Sequence, residues 1–156
     1  MRQTPRPAPA PSSEELMERL ARVAAAYYRH FAAVAAGRGL TLMQGKTLSL
    51  LVRPRPMRAL ADLLACDASN VTGIVDRLAA QDLVRREADP ADRRIKNIVL
   101  TEQGERTVRH IRAELMSGLT ALERLTPDER DTLHTLLGRA FPETAAPQGG
   151  TLSGGS

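Results

Sequence analysis

The side chains with most to offer chemically are cationic and polar. Asp92-Arg93-Arg94 sets two guanidiniums beside a carboxylate, directly after Asp89-Pro90-Ala91, a tripeptide of turn-forming residues. Guanidiniums on a protruding turn suit phosphate oxygens and the concentrated negative potential of a narrow minor groove. Asp92 can restrain an arginine beforehand and so reduce the ordering cost of binding. Earlier in the chain, Ser69, Asn70 and Thr72 carry hydroxyl and amide groups, Gly73 leaves the backbone bare, and Arg77 follows one helical turn later. Asn matches the paired donor and acceptor of adenine, a Thr methyl can pack on that of thymine, and Arg serves guanine or phosphate. Arg55, Arg58 and Arg86 add cations suited to a polynucleotide backbone. The plain alternatives are a solvated charged hairpin at Asp92–Arg94 and simple helix capping by Ser69 and Asn70. His30, His110 and His134 stand apart, without triad or ligand spacing, and no glycine-rich phosphate loop occurs. The single cysteine, Cys66, excludes a cysteine-rich zinc site. Neither an enzyme nor a cofactor is expected.

The elements that position these residues can be read from periodicity. Leu60, Leu63 and Leu64 recur at helical spacing, as do Val71, Ile74, Val75 and Leu78 in a second helix from Asp67 to about Gln81. Asp67 stands where a carboxylate can cap that helix. The period then changes, and residues 83–87 and 95–100 read as two strands joined at the charged turn. Arg85 and Arg86 should point to opposite faces of the first strand, while Asp76 should pair with a neighbouring arginine. Helix, turn, helix and hairpin make a winged helix-turn-helix, whose usual task is docking on double-stranded DNA.

Around this module lie further helices. Ser12-x-x-Glu15 and Thr41-x-x-Gln44 are capping boxes. The first opens a helix with an apolar stripe of Leu16, Leu20, Val23, Tyr27, Phe31 and Val34, ended by Gly37 and Gly39. The second opens a helix contributing Leu42, Leu48 and Leu51, stopped by Pro54 and Pro56, with Pro56 also suited to an early position of the helix containing Leu60. Thr101 should cap a long helix with Val108, Ile111, Leu115, Leu119 and Leu122 on one face. Thr126-Pro127-Asp128-Glu129 starts a last helix bearing Leu133, Leu136, Leu137 and Phe141.

The 156 residues allow one domain with a substantial core, built from Leu, Val and Ala because the chain has two Tyr, two Phe and no Trp. A net charge of +4 is too mild to imply nucleic-acid binding by itself. One cysteine fits a cytoplasmic protein without disulfides, and no apolar run suggests a membrane span. The expected organisation is a disordered arm at 1–11, helices at 12–53 and 101–141, a winged module at 54–100 and a disordered tail at 142–156. The class is mainly α (α+β), with a two-stranded wing plus N- and C-terminal dimerisation helices.

The chain also resembles the MarR family of transcriptional regulators. The resemblance rests on Leu60-Ala61-Asp62-Leu63-Leu64, Val71-Thr72, Val75-Asp76-Arg77-Leu78, Leu83-Val84, Asp89 through Arg94, and Leu100-Thr101-Glu102-Gln103-Gly104, in the family's order and spacing. It extends over roughly Ser12 to Phe141. Asp82 departs from the family's usual glycine at a position that calls for a left-handed backbone, which Asp tolerates. The resemblance implies minor-groove contact by Arg94 and Arg93. It also implies a small phenolic or otherwise lipophilic ligand between the dimer helices and the winged module, for which Tyr27, Tyr28, His30, Phe31 and Met43 are the candidates.

Two-fold pairing is expected on independent grounds. The first and last helices carry more apolar surface than a compact winged module can cover, and a second copy is the usual cover. A homodimer would match an inverted-repeat operator; release when ligand binds, the behaviour of a repressor, is what the resemblance implies. The rivals are a winged-helix module that docks proteins instead of DNA, and a thiol-based redox sensor using Cys66. Cys66 falls at a normally apolar position in the turn, where free Cys behaves as a small hydrophobe.

Overall fold

The computed structural model describes residues 10–118 and 120–142. Residues 1–9 of the expected arm, 143–156 of the expected tail and Leu119 of the apolar stripe lie outside them. Helix α1 (Ser13–Ala36) starts at a complete capping box, in which Ser12 and Glu15 each accept the other's backbone N–H. Gly39, at φ 69°, turns the chain after α1. Helix α2 (Leu42–Leu50) repeats the device with Thr41 and Gln44. Strand β1 (Arg55–Pro56) follows, then helices α3 (Met57–Leu64) and α4 (Ala68–Ala80), strands β2 (Val84–Ala88) and β3 (Lys96–Leu100), and helix α5 (Glu102–Gly118). A short helix α6 (Thr120–Glu123) and helix α7 (Pro127–Ala140) complete the described chain. Helix α7 begins at the Thr126–Glu129 capping box with Pro127 in its first turn.

The sheet has three strands rather than the expected two, ordered β1-β3-β2 and antiparallel throughout. Arg55 pairs with Ile98 and Pro56 with Asn97, so Pro56 belongs to an edge strand and caps α3 from outside instead of sitting within it. An edge is where a strand proline is tolerated, because its missing N–H can face away from the ladder.

The chain divides into one compact unit ending at Gly118 and a second from residue 119 onward. In the first, Phe31, Leu48, Leu60, Val71, Val75, Leu78, Val84, Ile98 and Ile111 form a continuous buried core, so helices α1 to α5 and strands β2 and β3 each give at least one side chain to it. Each such side chain contributes roughly 1.5–3 kcal/mol of burial free energy. In the second, α7 buries no residue: Leu133, Leu136, Leu137 and Phe141 are all exposed. The stripe of α1 likewise splits. Phe31 and Val34 are buried, whereas Leu16, Val23 and Tyr27 are exposed, as is Met17 beside them. Leu63, which recurs at helical spacing with the buried Leu60 and Leu64, is also exposed.

Two backbone positions set the geometry of the winged module. Ala65 takes the left-handed conformation at φ 50° and closes the turn between α3 and α4, with Cys66 N donating to Ala61 O at 3.1 Å. Asp82, at φ 55°, is left-handed as expected and turns α4 into β2. There the Thr101 hydroxyl donates to Asp82 O at 2.5 Å and accepts from Gly104 N at 3.0 Å, capping α5. A Cβ on Gly104 would lie 2.0 Å from Leu83 O. Only glycine lets α5 approach the start of β2 this closely, which gives the Leu-Thr-Glu-x-Gly stretch a steric cause.

Candidate nucleic-acid interface

Helix α4 is amphipathic, and its orientation follows from its buried face. Val71, Ile74, Val75 and Leu78 point into the core, which leaves Ser69, Asn70, Thr72 and Arg77 exposed. Asp67 occupies the N-cap position but its carboxylate makes no capping bond; its carbonyl accepts from Asn70 N and Val71 N instead. The Thr72 hydroxyl donates to Ala68 O at 2.9 Å, so an incoming base could use only its acceptor side and its methyl. Gly73 is partly exposed, and a Cβ built on it would meet nothing within 4 Å. The chain's own packing therefore does not require glycine there, although glycine inside a helix costs about 0.5–1 kcal/mol relative to alanine.

Above the buried contact of Leu78, Leu83 and Val84, a solvent-exposed ion pair also runs between this helix and the wing. Arg86 Nη2 lies 2.6 Å from Asp76 Oδ1, joining β2 to the exposed side of α4. That supplies the arginine partner expected for Asp76. It also commits part of the charge of Arg86, which sequence alone placed on the DNA backbone. Arg55 is similarly occupied, its Nε donating to Leu50 O at 2.8 Å. Arg58 and Arg77 are exposed and have no ion pair among the described residues.

The tip of the wing is organised by Asp89, which sequence marked only as a turn former. Its Oδ1 accepts from Ala91 N at 2.8 Å and Asp92 N at 3.2 Å, and its Oδ2 accepts from Asn97 Nδ2 at 2.7 Å. These bonds, led by the Ala91 amide and followed by the Asn97 side chain, hold its carboxyl below the usual aspartate range. Contrary to the expectation from sequence, Asp92 does not restrain an arginine side chain; its carboxylate accepts the backbone N–H of Arg94 at 3.0 Å. The reason is local, because a carboxylate at this turn reaches the amide two residues on more readily than a long mobile guanidinium. Arg93 and Arg94 are left exposed on a hydrogen-bonded turn, without ion pairs among the described residues. The turn-forming Asp89 was the available signal for this arrangement.

The aromatic residues of α1 only partly converge. Tyr27, Tyr28 and Phe31 line a cavity of about 190 Å³ with Lys46, Ser49, Leu50 and Leu63. Lys46 Nζ stands 5.0 Å from the centre of the Tyr28 ring. His30 and Met43 do not line it. His30 is packed against Gly118, where a Cβ would fall 2.1 Å from its Nε2, and Met43 rests on the core. For His30 this follows from helical phase: at about 100° per residue it falls on the side of Tyr27 opposite to Tyr28 and Phe31. Cys66 is partly buried against the same core, with Sγ 3.3 Å from Leu64 O. Among the described residues no helix is long and apolar enough to cross a membrane.

Known proteins resemble this arrangement closely. The MarR family model matches residues 40–96. Over 84 residues the chain is 39% identical to the HTH-type transcriptional repressor NicR of Pseudomonas putida, an alignment covering 51% of this chain and 53% of that protein. The chain spans about half or less of the length of the curated relatives it matches. Among solved structures, CouR from Rhodococcus jostii RHA1 bound to p-coumaroyl-CoA superposes with a TM-score of 0.67 at 27% identity, covering 85% of this chain and 96% of that one. BpsR of Bordetella bronchiseptica, whose DNA binding is regulated by 6-hydroxynicotinic acid, gives a TM-score of 0.63 at 26% identity, covering 88% and 100%.

Proposed function

This chain belongs to the MarR family, and we propose that it is a dimeric, cytoplasmic transcriptional regulator that represses from a pseudo-palindromic DNA site and is released by a small aromatic ligand. The observation that carries the DNA reading is the Asp76–Arg86 ion pair. It couples the wing to α4, so that Ser69, Asn70, Thr72 and Arg77 can enter a major groove while Arg94 and Arg93 reach for the neighbouring minor groove. Arg58 is the available cation for the DNA backbone; Arg55 and Arg86 would have to exchange their present partners to join it.

Dimerisation is supported by the exposed apolar residues of α1, Leu16, Met17 and Val23, by Leu133, Leu136 and Leu137 of α7, and by Phe141 just after it. Helices that leave so much apolar surface in water are covered most economically by a second copy. The ligand would sit among Tyr27, Tyr28 and Phe31. A cavity of about 190 Å³ accepts a single aromatic ring, and the Lys46 ammonium suits an acidic or phenolic substituent on it. Release would follow if the ligand prefers a spacing of the two α4 helices that does not match the DNA. Hydroxyl-radical footprinting on a bound genomic duplex tests the docking geometry. Two protected zones with centres about 10–10.5 base pairs apart, or a multiple of that, are expected; one isolated zone contradicts it.

A further inference from the structure

A second cavity, of about 440 Å³, lies in the first unit between the sheet and α5, away from the aromatic residues of α1. Its apolar floor includes Leu51, Val99 and Val108, and its polar wall holds four guanidiniums, from Arg53, Arg85, Arg109 and Arg112, against two carboxylates. Both carboxylates are taken. Glu87 lies 2.6 Å from Arg85 and Glu105 lies 3.7 Å from Arg109. Arg53 and Arg112 have no ion pair among the described residues. Such a cleft has the size of a small-molecule site and an unbalanced positive charge above an apolar base.

Its place on the sheet argues against a duplex as the occupant. Arg85 pairs across the ladder with Val99, and both line this cavity. Arg86, the next residue of β2, turns to the opposite face and reaches Asp76 of α4. The cleft therefore opens on the sheet face turned away from the helix proposed to read DNA. We infer that it is a separate binding site for an amphipathic organic anion, a flat apolar body bearing a carboxylate, held by Arg53 and Arg112 and seated on Leu51, Val99 and Val108. A bound anion would bridge the loop before β1, the sheet and α5.

Titration of the full-length 15N-labelled chain with naphthalene-2-carboxylate, followed by amide NMR, tests this. Saturable shifts are expected at Leu51–Arg53, Arg85–Glu87 and Val99–Leu100. Affinity should fall by about tenfold or more for the neutral naphthalene-2-carboxamide and in the Arg53→Ala/Arg112→Ala double variant, and should largely return in the corresponding double Lys variant, which restores charge without the planar fork. Lys46→Ala should leave these shifts unchanged, separating this cavity from the one beside Tyr28. Native-like spectra of each unliganded variant establish that it is folded. Shifts confined to Tyr27–Phe31 and Lys46, no saturation, or equal affinity in the double Ala variant would overturn the site.

Discussion

The Asn97 side-chain amide donates to the Asp89 carboxylate at 2.7 Å, tying β3 to the first residue of the wing tip. Asp89 simultaneously accepts the Ala91 and Asp92 amides, so one side chain shapes the turn that presents Arg93 and Arg94. Replacing it with alanine should leave the core and helix content intact while loosening the tip. Asp89→Ala is therefore expected to weaken DNA binding several-fold with little change in melting temperature. The same bonds depress the carboxyl pKa, so their contribution is fully present above the ordinary aspartate value of about 3.9 and is lost as pH falls through the lower folded value. Amide NMR of Ala91 and Asp92 should show the tip holding its order from neutral pH until that acid range; loss of order near pH 6 would contradict the assignment.

Gly104 is a stability prediction of a different kind. Its Cβ would meet a backbone carbonyl, Leu83 O, at 2.0 Å, and a backbone cannot swing aside as a side-chain end can. Gly104→Ala should destabilise the chain by about 1–3 kcal/mol or more, because α5 must be displaced from the start of β2. Urea denaturation measures it, and an unchanged midpoint would mean that the seam between Leu83 and Gly104 is looser than described.

Gly73 should behave in the opposite sense. With no atom within 4 Å of a built Cβ, Gly73→Ala should stabilise the fold by about 0.5–1 kcal/mol through helix propensity. If the bare backbone at this point lies against DNA, the same substitution should weaken duplex binding. Paired denaturation and binding measurements separate the two effects. Tighter or unchanged binding would remove Gly73 from the interface.

Arg94→Ala should weaken specific DNA binding by about 1–3 kcal/mol while fold and association state are preserved. Arg93→Ala is expected to have the smaller effect. Equal affinity of wild type and Arg94→Ala in an anisotropy titration at fixed salt would take the wing out of the mechanism.

Much of the fold is legible in the amino-acid order because its signals are local. Ser12, Thr41 and Thr126 each stand three residues before Glu or Gln, and all three open helices with both capping bonds made. Asp82 is left-handed because the turn from α4 to β2 demands it, a demand that the resemblance to a family with glycine at this position implies. What escapes local reading depends on partners distant in sequence. Strand β1 is two residues long and contains a proline, so only its pairing with Ile98 and Asn97 identifies it. The stripe of α1 announces burial without saying against what, and this chain covers Phe31 and Val34 but not Leu16 or Val23. At the interface, exposure of Ser69, Asn70 and Arg77 follows from helical phase. The occupation of Arg86 by Asp76, and of Asp92 by a backbone amide, is settled only by three-dimensional proximity.

In the proposed complex, two copies of this chain grip one duplex through α4 and the wing. It is tested most directly by titrating the purified protein into labelled duplexes from the neighbourhood of its own gene, with anisotropy as readout and sedimentation giving stoichiometry. Saturable binding of two chains per duplex is predicted, with affinity falling steeply as salt is raised because phosphate neutralisation releases counterions. A protein that stays monomeric at micromolar concentration, or that binds none of these duplexes at low salt, would rule this complex out.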